Sequence, residues 1–191
     1  SSDLPRGGER PNNYGEKQMN SEEALKIMAK AYYELLTTLQ PAFDDNENIK
    51  IGLREGLTKF LSNLYINLRG ENDKYNTDYF SEEAWNHKDD GTPLVFEHII
   101  PKTDYIQKPC EEACKNGKFA DGTPFSEEAI LKLLQERWHI ATITEDEDCE
   151  LTKRGLTRKM PEGWEKENTP FSRYKAANIP LVDSNGNKIN F

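Results

Sequence analysis

The run Leu94-Val95-Phe96-Glu97-His98-Ile99-Ile100-Pro101-Lys102 sets a carboxylate beside an imidazole inside an apolar, β-branched segment. A plain core strand carries neither, because burying an unpaired ionisable group costs free energy. The pair suits proton transfer: imidazole titrates nearest to neutrality, and a carboxylate can hold a cation. A second stretch, Trp138-His139-Ile140-Ala141-Thr142-Ile143-Thr144, runs into Glu145-Asp146-Glu147-Asp148 and gathers four acids at one helix start. Together these residues could hydrolyse a phosphodiester. His98 would take the proton of the attacking water, while carboxylates hold one Mg²⁺ or Mn²⁺ that neutralises the leaving oxygen.

The elements that must position them can be read from periodicity and punctuation. Asn20-Ser21-Glu22-Glu23 starts a helix whose Leu25, Met28, Tyr32, Leu35, Leu36 and Leu39 share a face, with Pro41 expected to end it. A second helix is expected from about Asn48 to Leu68, with Leu53, Leu57, Phe60, Leu61, Leu64 and Leu68 on its apolar stripe, antiparallel to the first. A short helical piece at 81–85 leads to the strand at 94–101. Alternation along that strand puts Glu97 and His98 on opposite faces, so a bulge or the strand's end must bring both to one site. Residues 103–116 read as helical with a break near Pro109. Ser126 caps a helix to Trp138, 139–143 is a strand, and Thr144 with Glu147 forms a capping box for a helix to about Lys153. A turn of helix near Phe171 and a hairpin through Asn185-Gly186 close the chain. The expected fold is α+β: a helical N-terminal half packed on a small, mostly antiparallel β unit. By region, 1–19 reads as a flexible tail, 20–92 as a helical subdomain and 93–191 as the α+β catalytic region, with the latter two in one compact domain.

The order of a strand ending in Glu-His, a second strand and a helix carrying a metal-binding side chain resembles the ββα-metal (HNH-type) nucleases over about residues 94–153. The resemblance implies a metal-dependent endonuclease with His98 as general base, Glu97 as a metal ligand, and Asp148, with Glu147 one position before it, as the helix ligand where the family usually places a histidine. The sequence departs from the family in three respects. About 38 residues separate the two strands where the family has a short loop. No Asn stands on the second strand to orient the base, leaving that role to Thr142 or Thr144. The helix residue is an acid. The implied setting is restriction, phage or mobile-element biology, in the cytoplasm, acting on nucleic acid, DNA before RNA; a homodimer is allowed.

Charge points to where a polyanion could bind. The chain carries a formal −9, and residues 1–100 hold 11 basic against 18 acidic side chains, which disfavours indiscriminate binding of nucleic acid. Residues 152–175 reverse the balance with Lys153, Arg154, Arg158, Lys159, Lys166, Arg173 and Lys175 against three acids. Lys102, Lys153, Arg154, Arg158, Lys159 and Arg173 are the expected phosphate contacts, with Trp164 or Tyr174 available to stack on a base. No run approaches the length of a membrane span. Cys110, Cys114, Cys149 and His139 have the ligand types of a zinc site, but Cys-x₃-Cys falls on a helix and no second close pair exists, which disfavours structural zinc.

The same residues admit other readings. His98 fits a core histidine satisfied by a backbone carbonyl with Glu97 exposed opposite, His139 a strand-edge residue, His87 a loop residue, and the acids at 145–150 first-turn caps, a role that suits Glu147 in particular. The acid excess of residues 1–100 also suits a non-enzymatic partner, an immunity-like protein or nucleic-acid mimic that binds a basic protein. A hydrolase of smaller phosphoesters would use Glu97 and His98 without the basic stretch.

Overall fold

The computed structural model describes residues 19–45, 47–69, 77–167 and 169–191. The expected tail lies outside them apart from Met19. The first helix, α1, spans Ser21–Asp45, and the second, α2, spans Glu47–Leu68. Asn20 caps α1 by accepting from the Glu23 amide at 2.9 Å. Pro41 lies inside α1 and does not end it. Proline removes one backbone donor, but its fixed φ is helical, so near a helix end the chain can continue past it. Ser21 at the start of α1 meets Tyr65 near the end of α2, Oγ to OH 2.8 Å, so the two helices run antiparallel.

Four strands follow: β1 Tyr79–Ser81, β2 Leu94–His98, β3 Ile140–Thr144 and β4 Leu181–Asp183, in the spatial order β2-β3-β1-β4. β2 pairs antiparallel with β3, β4 antiparallel with β1, and β1 parallel with β3. β1, a strand the sequence reading missed, is only three residues long and continues directly into α3, Glu82–Asn86, under the Ser81 cap. Between β2 and β3 come a π-helical turn at Thr103–Gln107, α4 at Lys108–Asn116 with Pro109 in its first turn, and α5 at Glu127–Arg137. After β3 come α6 at Glu145–Lys153, α7 at Trp164–Glu167 and α8 at Ser172–Ala177. The expected terminal hairpin forms with a reduced second arm, where Lys188 makes a single bridge to Val182. Its turn needs Gly186: φ is 82°, and a Cβ there would sit 3.0 Å from the Trp85 ring.

Two apolar clusters flank the sheet. Met28, Tyr32, Leu36, Leu57 and Leu61 of the antiparallel pair pack with Ile130, Leu134, Trp138 and Ile140 on one side. Ile99, Ala141, Ile143, Leu151, Tyr174 and Leu181 form the other. β3 is buried along its whole length between them, which explains its unbroken apolar and threonine composition. Phe60, expected on the apolar stripe of α2, is instead 38% exposed, since Leu57, Leu61 and Tyr65 fill that helix's buried face. Residues from both sequence regions share the helical cluster, and β1 places the first region inside the sheet.

Candidate functional site

β2 lies at the sheet edge and ends at His98, so side chains from both of its faces reach the same corner. Phe96 packs on the helical cluster and Val95 on the other. Glu97 follows Val95 toward α8, and His98 follows Phe96 toward the helices. Both nevertheless line one cleft of about 990 Å³, together with Lys59 of α2, Lys102, Thr103 and Asp104, Lys108 at the start of α4, and Thr157 and Arg158 beyond α6. The strand's end joins the two residues, as the alternation required.

Arg173 holds the Glu97 side. Its guanidinium is fully buried; Nη2 donates to Glu97 Oε1 at 2.5 Å and to the His98 carbonyl at 2.7 Å, while Nη1 donates to the carbonyls of Leu156 and Thr157 at 2.8 and 3.0 Å. This corrects the expectation that Arg173 contacts nucleic acid: the forked guanidinium closes the corner from inside and has no exposed surface. Burial raises the Glu97 carboxyl, Arg173 opposes that, and the charge of nearby Asp148 raises it further. Asp148, half-buried in the first turn of α6, thus lies close enough for the two carboxylates to feel each other. Thr144 and Glu147 form the expected capping box. Glu147 Oε2 accepts from the Thr144 amide at 2.9 Å, and Ser81 Oγ donates to it at 2.5 Å, so this acid ties α6 to the end of β1.

The His98 side is less complete. The ring meets Trp138 edge-on with centroids 4.7 Å apart, and Nε2 lies 3.4 Å from Ser62 Oγ. Nδ1 is buried without a hydrogen-bond partner, so no backbone carbonyl satisfies the ring. Burial, reinforced by the charges of Lys102 and Arg173, pushes the imidazole down to about 3, which leaves it neutral at neutral pH. Lys102 Nζ donates to Ser62 Oγ at 2.5 Å. Burial lowers this ammonium, and Glu97 partly restores it.

The chain matches no family model, no curated protein and no solved structure.

Other expected residues lie apart from the cleft. Lys153 and Arg154 pair with Glu150 on α6, Arg154 at 2.6 Å, and Lys159 is exposed. Tyr174 is fully buried and unable to stack on a base, whereas Trp164 is half-buried with its ring edge-on to Tyr105. His87 pairs with Asp90 and Glu83, and the Asp90 hydrogen bond raises its pKa. Half-buried His139 meets Tyr79 edge-on. Cys110 is buried in the helical cluster and Cys149 is exposed. Among the described residues, no group of three His, Cys, Asp or Glu side chains is poised to hold a metal. Asp148 stands near enough to Glu97 to raise its carboxyl, is not one of the residues lining the cleft, and faces a Glu97 carboxylate already held by Arg173. Lys59, Ser62 and Lys108 were missed in the sequence. They sit on stretches whose periodicity signals only helix, and no local motif marks them.

Proposed function

We propose that the cleft hydrolyses phosphodiester bonds of nucleic acid. The observation that carries this reading is the cation-lined cleft at the end of β2, where Glu97 and His98 meet. α6 starts at the opposite end of the β2–β3 pair and carries Asp148 in its first turn, near enough to act on the Glu97 carboxyl. β2, β3 and α6 follow as strand, antiparallel strand and helix, and the long insertion between the strands contributes Lys102, Thr103 and Lys108 to the cleft.

In the proposed reaction His98 is the base. Its Nε2 is the nitrogen able to meet a cleft ligand, because Nδ1 is enclosed, and the 3.4 Å contact with Ser62 is long enough to give way. Nε2 accepts a proton from water as the water oxygen bonds to phosphorus. The bond from phosphorus to the leaving oxygen breaks, and solvent protonates that oxygen. Glu97 and Asp148 would hold a divalent ion, which when bound supplies charge neutralisation at the phosphate. Arg173 fixes the Glu97 carboxylate so that its position does not depend on the ion.

Cleavage of supercoiled plasmid and of a single-stranded RNA in Mg²⁺, Mn²⁺ or EDTA tests the reading. Metal-dependent cutting by the wild type, reduced at least 100-fold in His98→Ala with the fold retained, is expected. Equal cutting by His98→Ala removes His98 from the mechanism. A chain that cuts neither substrate but binds a basic protein in a salt-sensitive way supports the acidic-partner reading instead.

A further inference from the structure

The acids and bases of the cleft do not balance. Glu97 is paired with Arg173 and Asp104 with Lys108, which leaves Lys59, Lys102 and Arg158 lining the same space with no ion pair to a described residue. Elsewhere the chain pairs its most buried cations: Arg173 with Glu97, and Arg69 with Asp78. Lys102 is the exception, half-buried and held by a hydroxyl. Ser62 takes one of its three ammonium protons; two remain for an anion, and the Ser62 hydroxyl hydrogen can turn from its long 3.4 Å contact with His98 Nε2 to donate as well. Thr103 and Thr157 line the same cleft and bring further hydroxyls. In a protein of formal charge −9, such a local cationic surplus focuses anions into one place.

We infer that Lys102 and Ser62 form a seat for a phosphate oxyanion at the Glu97-His98 corner, occupied by a backbone phosphate of a nucleic-acid strand, with Lys59 and Arg158 taking the flanking phosphates. The seat rests on the phosphodiester reading for the identity of its ligand. The cleft volume of about 990 Å³ is far more than one phosphate fills and leaves room for the attached nucleosides. Lysine suits the position as a compact charge whose donors reorient as the strand moves through reaction and release.

The test uses the intact chain and three probes at constant ionic strength: inorganic phosphate, a 5′-phosphorylated thymidine dinucleotide and a twelve-nucleotide single strand. Binding is read by ³¹P line broadening and by thermal shift. The wild type should bind phosphate in preference to chloride, and each longer probe more tightly. Lys102→Met and Ser62→Ala should each weaken dinucleotide binding about tenfold, whereas Lys188→Met, whose lysine pairs with Glu82 outside the cleft, should change nothing. Wild-type affinity in folded Lys102→Met and Ser62→Ala overturns the seat; if Lys102→Met does not fold, Ser62→Ala decides alone. A dinucleotide no tighter than phosphate overturns the nucleic-acid assignment in favour of a small phosphoester. The two readings fail separately. Probe binding that depends on Lys102, in a chain that cuts no nucleic acid with any metal, removes the nuclease and keeps the seat. Cutting with an unchanged KM in Lys102→Met does the reverse.

Discussion

The chain has two polar joints of similar composition and opposite completeness. At the first, Asp78 Oδ2 accepts from the Ile140 amide at 3.0 Å, and Oδ1 accepts from Tyr65 OH at 3.1 Å, from Ser21 at 3.2 Å and from Arg69. One carboxylate thereby ties the start of α1 and the end of α2, which meet at one end of the antiparallel pair, to the start of β3. At the second, Glu97, His98, Arg173, Lys102 and Ser62 occupy the end of β2. His98 Nδ1 and Arg173 Nε have no partner there, and Lys102 has no counterion among the described residues. Both joints bury charge, and only the first satisfies it. A buried polar group left incomplete costs about 1–3 kcal/mol, a cost that falls on the second joint and not on the first.

The sharpest way to break this contrast is Arg173→Met. It strands Glu97 in a buried corner and frees three carbonyls, and should cost roughly 3–5 kcal/mol in urea denaturation. A loss below about 1 kcal/mol would show that Arg173 is no structural keystone. Next in size is Asp78→Ala, which removes the acceptor of several donors at the completed joint and should cost about 2–3 kcal/mol. Lys102→Met at the open joint should leave stability unchanged or raise it, because a half-buried ammonium is then gone; equal losses at Lys102 and Asp78 would erase the distinction. A further effect appears only in acid. His98 is pushed down to about 3 in the folded chain from an ordinary 6.5, so between those values the unfolded chain binds the proton and the folded one does not. Its contribution is therefore fully present above pH 6.5 and lost as the pH falls toward 3, at no more than about 1.4 kcal/mol per pH unit. His98→Asn should flatten the stability-against-pH curve in that window relative to wild type. Parallel curves would place the histidine in contact with solvent.

Much of the scaffold was legible locally. Asn20, Ser126 and Thr144 each cap the helix their spacing announces, and the 3.6-residue stripes of α1 and α2 locate their buried faces because capping and amphipathicity are properties of a few consecutive residues. Pro41 misled because a proline near a helix end need not stop it, and Phe60 because an apolar stripe is wider than the face a partner covers. β1 escaped because three residues carry no period; its existence depends on β3 and β4, respectively 60 and 100 residues further along the chain.

For the site, the sequence by itself determined the anomaly at Glu97-His98, the acid-rich start of α6 and the basic character of the stretch beyond it. These are facts of residue type, visible wherever an ionisable group interrupts an apolar run or one sign of charge accumulates. Which charges face the cleft and which are spent on one another was decided by tertiary structure alone. Arg173, Arg158 and Arg154 look equivalent in sequence, yet one is locked under Glu97, one lines the cleft and one pairs along its own helix. Ser62 meets His98 across 36 residues and Lys102 across 40. Packing the helical pair against the end of β2 makes those contacts, and no local rule encodes a separation of that length.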